Sequence, residues 1–295
     1  MNFKTIGFTA ALSVTALCSV QAAENGNTQY SPGSSQFFAA GIPPYSGFYF
    51  VTQTSYFNSD RLNDSNGNKI PIDFEVKALA ETFRFLYVSD LELGGATLWS
   101  QLVVPVVHLD MSLPFVEDKA TSLADISATV GLAWHVDKYS TFAAGVDIAM
   151  PTGGYHVSEL ANVGLNHWSI QPSAGYHYTD PQGLEAAALA RLIFNTKNTD
   201  TDYRSGTELV IDYAVGWNIE KWRVAAVGYY LQQLSDDTGP GVAADGHRGN
   251  SFAIGPSLTY SFNPGMQLSA SWQHDLIAEN RAQGNTMWVN FATKF

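Results

Sequence analysis

The sequence predicts an all-β fold, a transmembrane antiparallel β-barrel of about 12 strands with short periplasmic turns and longer extracellular loops. Three observations predict it. Many segments alternate between apolar residues and small or polar residues, and their connections alternate between short and long. The chain opens with an export signal, yet no later run of apolar residues is long enough for a membrane-spanning helix.

The strands are predicted from a period of two. Residues 208–218, for example, place Leu209, Ile211 and Tyr213 on one face and Glu208 and Asp212 on the other. Residues 125–135, 141–150 and 251–262 alternate in the same way. The twelve predicted strands are 47–58, 74–89, 96–111, 124–136, 141–151, 167–179, 184–195, 207–219, 222–234, 251–262, 266–277 and 286–295.

The connections predict how the barrel lies in the membrane. The short ones are 90–95, 137–140, 180–183, 220–221 and 263–265. The longer ones are 59–73, 112–123, 152–166, 196–206 and 235–250, and the last connection, 278–285, is of medium length. Bacterial outer-membrane barrels have tight periplasmic turns and longer extracellular loops, so we expect a bacterial outer-membrane location. An even number of strands places both termini on the periplasmic side.

Aromatic residues collect beside the short turns, as in the girdle that marks a membrane interface. They are Trp134, Tyr139, Phe142, Tyr176, Tyr178, Trp217, Trp222, Tyr260, Phe262 and Phe295. A second girdle at the other interface is predicted from Trp168, Tyr230, Trp272 and Trp288.

Composition excludes several classes of function. Asp, Glu, Lys and Arg make up 14% of the chain, against roughly 25% in soluble domains. The net charge is −12 and Lys and Arg form no cluster, which argues against nucleic-acid binding. The histidines are scattered, and Asp236, Asp237 and Asp245 lack the spacing of a calcium loop, so we expect no metal and no cofactor.

The chain divides into three parts. Residues 1–22 are predicted as a signal peptide, with Lys4 at the start and Val20-Gln21-Ala22 at the cleavage site. The only cysteine, Cys18, lies within it, so the mature chain has no disulfide. Residues 23–46 form an N-terminal segment, and residues 47–295 form the barrel.

The N-terminal segment is too irregular for a strand and too apolar for a free tail. We expect it to fold into the lumen as a plug, and the alternative is an ordered periplasmic tail. The candidate plug residues are Phe37, Phe38, Pro43 and Pro44, with the two prolines turning the chain into the first strand.

The strand faces opposite the apolar sets predict the lumen lining. The candidates are Asp125, Asp147, Glu185, Arg191, Glu208, Asp212 and Arg223. Five acids against two arginines predict an acidic lumen that favours neutral or cationic solutes. The alternative is that these charges pair across a narrow barrel and hold it together.

Two other classes of function remain open. His167 and Ser169 lie on one strand face, like the His-x-Ser pair of outer-membrane phospholipase A, itself a barrel. Trp168 and Ile170 are apolar and are expected to face lipid. His167 and Ser169 are therefore expected to point inward, away from lipid substrates. A structural or adhesive barrel is the third class, and its loops are short for adhesion.

The partners expected are outer-membrane lipids, lipopolysaccharide and a small hydrophobic solute. The chain ends in an alternating strand with a terminal aromatic, Phe295, which resembles the signal read by the barrel assembly machinery. We expect a monomer.

The chain resembles the outer-membrane proteins associated with the meta-pathway of phenol degradation, which include the sphingosine-responsive proteins of pseudomonads. The matching motifs are YSPGSSQFFAAGIPPYSGFYF (30–50), ADI (124–126), MPTGGY (150–155), ANVGLNHW (161–168), FNTKNTDTDYRSGTEL (194–209), VGYYLQQLSDDTG (227–239), GHRGNSFAIGPSLTY (246–260) and ENRAQG (279–284). The resemblance implies a porin-like barrel of Gram-negative bacteria that transports small hydrophobic compounds, aromatic or lipid-like, and is not an enzyme.

Overall fold

Thirteen β-strands form one closed antiparallel sheet in the computed structural model, which describes residues 26–295. The predicted signal peptide lies outside the described residues. The strands are β1 (Gly47–Ser59), β2 (Glu75–Leu93), β3 (Ala96–Leu113), β4 (Val116–Leu123), β5 (Ser127–His135), β6 (Ser140–Ala149), β7 (Ser169–Thr179), β8 (Leu184–Asn195), β9 (Glu208–Ile219), β10 (Trp222–Gln233), β11 (Asn250–Asn263), β12 (Met266–Glu279) and β13 (Asn285–Lys294). Within residues 26–295, no helix has the length and apolar character needed to cross a bilayer.

The sheet closes as a barrel of 12 wall strands, as predicted. Strand β1 pairs with both β2 and β13, β2 pairs with β3, and from β5 to β13 each strand pairs with the next one around the ring. Strands β4 and β5 both pair with β3, one beyond the other, so together they fill a single position in the wall.

The predicted loop 112–123 is wrong, because these residues form a tight turn and strand β4. Phe115 adopts a φ of 71° in the turn. Strand β4 carries polar residues on both faces and lies beyond the level of β5, where an apolar outer face is not required. There Lys119 Nζ lies 2.7 Å from Asp110 Oδ2 across the hairpin. This polar strand has no apolar alternation, and its sequence therefore looks like a loop.

Alternate residues of each strand face the lumen and the outer surface. In β9, Glu208 and Asp212 are buried, whereas Val215 and Trp217 are more than half exposed. In β2, the residues that point inward include Arg84. Glu81 points outward, where Thr54 Oγ1 donates a hydrogen bond to its carboxylate at 2.5 Å.

Exposed aromatic rings surround the barrel at the end of the short turns. Phe142, Tyr176, Trp217, Trp222 and Phe262 are all exposed there. Neighbouring rings contact one another in the pairs Trp134–Phe142, Tyr139–Tyr178, Trp222–Tyr260 and Tyr260–Phe262.

At the long-loop end, Trp168 and Trp272 are exposed as predicted for a second girdle. The assignment of Trp288 to that girdle is wrong. Its neighbours Met287 and Val289 point outward, so Trp288 points inward, where it is buried against the lumen.

Glycine is required at two places near the short-turn end. Gly94 and Gly95 form the two-residue turn between β2 and β3 with φ angles of 60° and 75°, a combination that other residues avoid. In β5, a Cβ on Gly131 would lie 2.6 Å from the Trp99 ring. The bare backbone there lets Trp99 lie flat on the inner wall, where it packs with Ala40 and Ile42.

Candidate functional site: the barrel lumen

The N-terminal segment runs through the lumen from the long-loop end to the short-turn end. Thr28 Oγ1 donates a hydrogen bond to Glu208 Oε2 at 2.8 Å, at the long-loop end of β9. A 3-10 turn follows at Gln36–Phe38, and Ile42 packs in the cluster around Trp99 at the other end. The wall begins and ends at the short-turn end, whereas residues 26–29 lie inside the barrel towards the long loops.

Asp212 anchors the middle of this segment. Its Oδ2 accepts hydrogen bonds from the Tyr30 hydroxyl at 2.5 Å and the Ser35 amide at 2.9 Å. Its Oδ1 accepts one from the Gly33 amide at 2.8 Å. Three donors of the segment therefore converge on one buried carboxylate of the wall.

The candidate plug residue Phe37 is buried in the short-turn half of the lumen. Its ring centroid lies 3.7 Å from the Arg223 guanidinium carbon, a cation–π contact. Arg223 Nη1 in turn lies 2.6 Å from Glu185 Oε1, which His177 Nε2 also approaches at 3.0 Å.

The other candidate plug residues follow Phe37 along the chain. Phe38 lines a small cavity in the lumen. Pro43 and Pro44 follow, close to a bend that leads the chain into β1.

Asp147 and Arg191 form a second paired site in the lumen. Arg191 Nη1 lies 3.3 Å from Asp147 Oδ2 and donates a hydrogen bond to Gln171 Oε1 at 2.9 Å. The Tyr30 ring of the N-terminal segment lies 4.4 Å from the Arg191 guanidinium carbon. Both charges are buried.

Asp125 lies at the break between β4 and β5. It accepts hydrogen bonds from the amides of Gly153 at 2.8 Å and Leu165 at 2.9 Å. Gln29 Nε2 of the N-terminal segment donates a third at 3.0 Å. Asp125 therefore joins the wall, a long loop and the segment.

The predicted lining misses two arginines, and it also misses Asp275, so acids still outnumber arginines in the lumen. Arg84 and Arg281 also line the lumen. Arg281 Nη1 lies 3.7 Å from Glu208 Oε1. The five predicted acids are thus engaged by arginines or by donors of the N-terminal segment, and Asp275 accepts hydrogen bonds from the Tyr229 hydroxyl and the Gly284 amide. Arg281 follows β12 in a loop, outside any alternating pattern that would reveal its direction.

A cavity of about 390 Å³ remains between the N-terminal segment and the long loops. Its size is within the range of small-molecule sites. The wall formed by β2 and β3 is apolar except for Thr82, Arg84 and Gln101, and the rest of the lining carries the other charges. The apolar wall consists of Val76, Ala78, Ala80, Val103, Pro105, Val107, Leu109 and Met111. The charged lining consists of Arg84, Asp125, Asp147, Arg191, Asp275 and Arg281.

The long loops are fixed by two further aspartates. Asp118 accepts hydrogen bonds from the amides of Leu160 and Ala161, both at 3.0 Å, and the Ala161 amide holds the pKa of Asp118 below its usual value. Asp237 accepts one from the Gly206 amide at 2.7 Å, and burial raises its pKa.

The apolar rim above the cavity is built from the same part of the molecule. It packs residues of the long loops against the ends of β2 and β3. Its buried members are Leu62, Phe74, Val76, Leu109, Met111 and Ala161.

The candidate hydrolase pair does not face lipid. His167 and Ser169 are both buried, and Ser169 Oγ accepts a hydrogen bond from Gln171 Nε2 at 2.7 Å. Trp168 and Ile170, between and after them, are about half exposed on the outer surface. In the acidic loop that contains Asp236, Asp237 and Asp245, Asp236 forms an ion pair with Arg248, whose Nε lies 2.6 Å from Asp236 Oδ1.

The sequence of residues 59–291 matches the model of a family described as "Putative MetA-pathway of phenol degradation". The chain belongs to this family. The match covers most of the barrel, from the end of β1 into β13. No curated protein matches the chain significantly.

Solved structures show the fold that this family member shares. The COG4313 outer membrane channel from Pseudomonas putida F1 superposes with a TM-score of 0.77 at 18% identity, over 90% of this chain and 100% of that one. The β domain of the Bordetella autotransporter BrkA gives 0.54 at 11% identity, over 85% and 100%. The chain therefore has the fold of an outer-membrane β-barrel.

Proposed function

We propose that this family member is an outer-membrane channel for the uptake of small hydrophobic compounds, aromatic or lipid-like, and is not an enzyme. The observation that carries the proposal is the cavity of about 390 Å³, whose β2–β3 wall is apolar although it faces the lumen. An ordinary porin lumen is polar because it holds water. An apolar inner wall instead favours a solute that buries hydrocarbon or an aromatic ring.

The N-terminal segment supports a plugged channel over an open pore. It occupies the lumen along its length and is held by Asp212 and Arg223. Steady diffusion of ions or sugars is not expected through such a lumen. A solute is instead expected to bind in the cavity before it passes the segment.

The relatives give independent support for the class of function. The description of the family refers to phenol degradation, and the superposed Pseudomonas protein is an outer membrane channel. The superposed structures are a channel and an autotransporter β domain, and the buried His167 and Ser169 offer no lipid-facing nucleophile.

The proposed orientation follows from the connections. Short turns on one end and long loops on the other are typical of outer-membrane barrels, with the turns in the periplasm. The wall would then begin at Gly47 and end at Phe295 on the periplasmic side. Phe295 is exposed, and its ring centroid lies 6.1 Å from that of Phe50. The exposed Phe295 ring is therefore accessible to the barrel assembly machinery, which is predicted to recognise it in a monomeric barrel.

Ala80→Phe tests the cavity as the binding site. Ala80 lies on the apolar wall, and a phenyl ring there would occupy the space of a small aromatic solute. We expect the affinity for toluene and 4-ethylphenol, measured by calorimetry with the refolded protein, to fall by about tenfold, the equivalent of about 1.4 kcal/mol.

Ala128→Phe is the matched control, because Ala128 lies in β5 on the exposed outer face. It should bind both solutes like the wild-type protein. Equal binding by the wild type and Ala80→Phe would show that the cavity is not the site. No binding of either solute by the wild type would contradict the proposed function itself.

A further inference from the structure

The cavity of about 390 Å³ meets a second, smaller one of about 50 Å³ at three side chains. Arg84 of β2, Gln101 of β3 and Arg191 of β8 line both cavities. The larger cavity lies on the long-loop side and the smaller one beside Trp99 near the short-turn end. A solute that moves along the inner wall from one to the other has to pass these three groups.

The two guanidinium groups at this junction differ in how well they are paired. Arg191 contacts Asp147, Gln171 and the Tyr30 ring. Arg84 has no carboxylate within 4.0 Å among residues 26–295. Its one side-chain hydrogen bond runs from Nη2 to Ser34 Oγ at 3.2 Å.

The donors of Arg84 are therefore largely unused. Its Nε is shielded from solvent and donates to no group of the described chain. Asp212, a lumen acid that carries the opposite charge, has both oxygens occupied by Tyr30, Gly33 and Ser35. A guanidinium at membrane depth whose donors lack acceptors is costly, and charged residues at such depth mark solute pathways.

The surroundings of Arg84 restrict the ligand that would use these donors. A guanidinium presents a planar fork that matches the two oxygens of a carboxylate. Its cross-strand neighbour is the apolar Val103, and Ala80 and Pro105 lie further along the same wall. The site thus combines one cationic donor group with an apolar surface.

We propose that Arg84 binds the carboxylate of hydrophobic organic acids, whose ring or hydrocarbon chain lies on the β2–β3 wall. This inference rests on the proposed function and names the solute class for it. It reverses the solute preference expected from an acidic lumen, because the carboxylates that line the cavity already accept hydrogen bonds from the protein, whereas most donors of Arg84 are unused.

Three probes of similar shape test the proposal: 4-ethylbenzoate, its neutral analogue 4-ethylbenzamide, and the cation 4-ethylbenzylamine. Calorimetric titrations of the full mature protein in detergent are corrected by titrations of protein-free micelles. The wild type should bind the benzoate about tenfold more tightly than the amide, which is the usual strength of a charge-assisted hydrogen bond. The amine should bind most weakly.

Arg84→Gln should weaken benzoate binding by about tenfold and leave amide binding nearly unchanged. Arg248→Gln is the matched control, because Arg248 is exposed on a long loop, paired with Asp236. If Arg84→Gln does not fold, Arg84→Lys carries the test. It keeps the charge without the fork, so benzoate binding should fall while the benzoate stays preferred over the amine.

The outcomes separate this inference from the proposed function. If the amide binds and the benzoate gains no advantage, or if Arg84→Gln leaves that advantage intact, the carboxylate site is wrong and the hydrophobic channel stands. Preference for the amine would also overturn the inference. If none of the three probes binds, both proposals fail.

Discussion

Deletion of residues 24–44 should convert a channel with no resolvable current steps into one with long-lived open steps in planar bilayers. Of the deleted stretch, residues 26–42 lie in the lumen and contact Asp212, Arg223 and Glu208 of the wall. The wall itself begins at Gly47 and does not include them. Their removal should therefore leave a continuous water-filled path through a 12-strand barrel.

The comparison of conductance is valid only if the deletion variant forms a folded barrel. The shift in electrophoretic mobility between heated and unheated samples provides that control, since it reports the closed sheet. The same conductance from the folded deletion variant and the intact protein would mean that the segment does not block the lumen. The plug would then have to be abandoned.

Asp212→Ala should release the N-terminal segment without shortening it. The substitution leaves the Tyr30 hydroxyl and the amides of Gly33 and Ser35 without their acceptor. An unpaired buried donor costs about 1–3 kcal/mol, so the segment should detach for a measurable fraction of the time. We expect frequent transient openings in single-channel recordings.

Two further variants provide an intermediate case and a control for Asp212→Ala. Asp212→Asn keeps the shape and one acceptor oxygen, so its openings should be rarer than those of Asp212→Ala. Asp200→Ala removes a carboxylate that is exposed on a long loop and should behave like the wild type. Recordings of Asp212→Ala that match those of the wild type would show that this carboxylate does not hold the segment.

The barrel was predictable because its strands face lipid on one side. Where the outer face is apolar, as in β9 and β11, the period of two predicts both the strand itself and the side of the sheet on which each side chain lies. Strand β4 lacks this signal, because beyond the apolar band both of its faces are polar. Trp288 was misplaced for a related reason. An aromatic residue is expected at an interface, yet the positions of Met287 and Val289 determine that it points inward.

The lumen was harder to predict than the wall. The alternating pattern gives seven charged residues a direction, but it does not reveal their partners. Asp212 acquires its role from the backbone amides of Gly33 and Ser35, which belong to a segment far away in sequence. Arg84 was overlooked because Glu81, three positions earlier, lies on the opposite face and obscures the pattern of β2. Thr54 satisfies that outward acid.

We propose that the apolar β2–β3 wall of the lumen carries hydrophobic solutes inward. The most direct test is the initial rate of uptake of a radiolabelled alkylphenol by intact Gram-negative cells that produce either the wild type or Ala80→Phe in equal amounts. We predict saturable uptake with the wild type and uptake near the level of non-producing cells with Ala80→Phe. Equal rates in all three strains would contradict the claim.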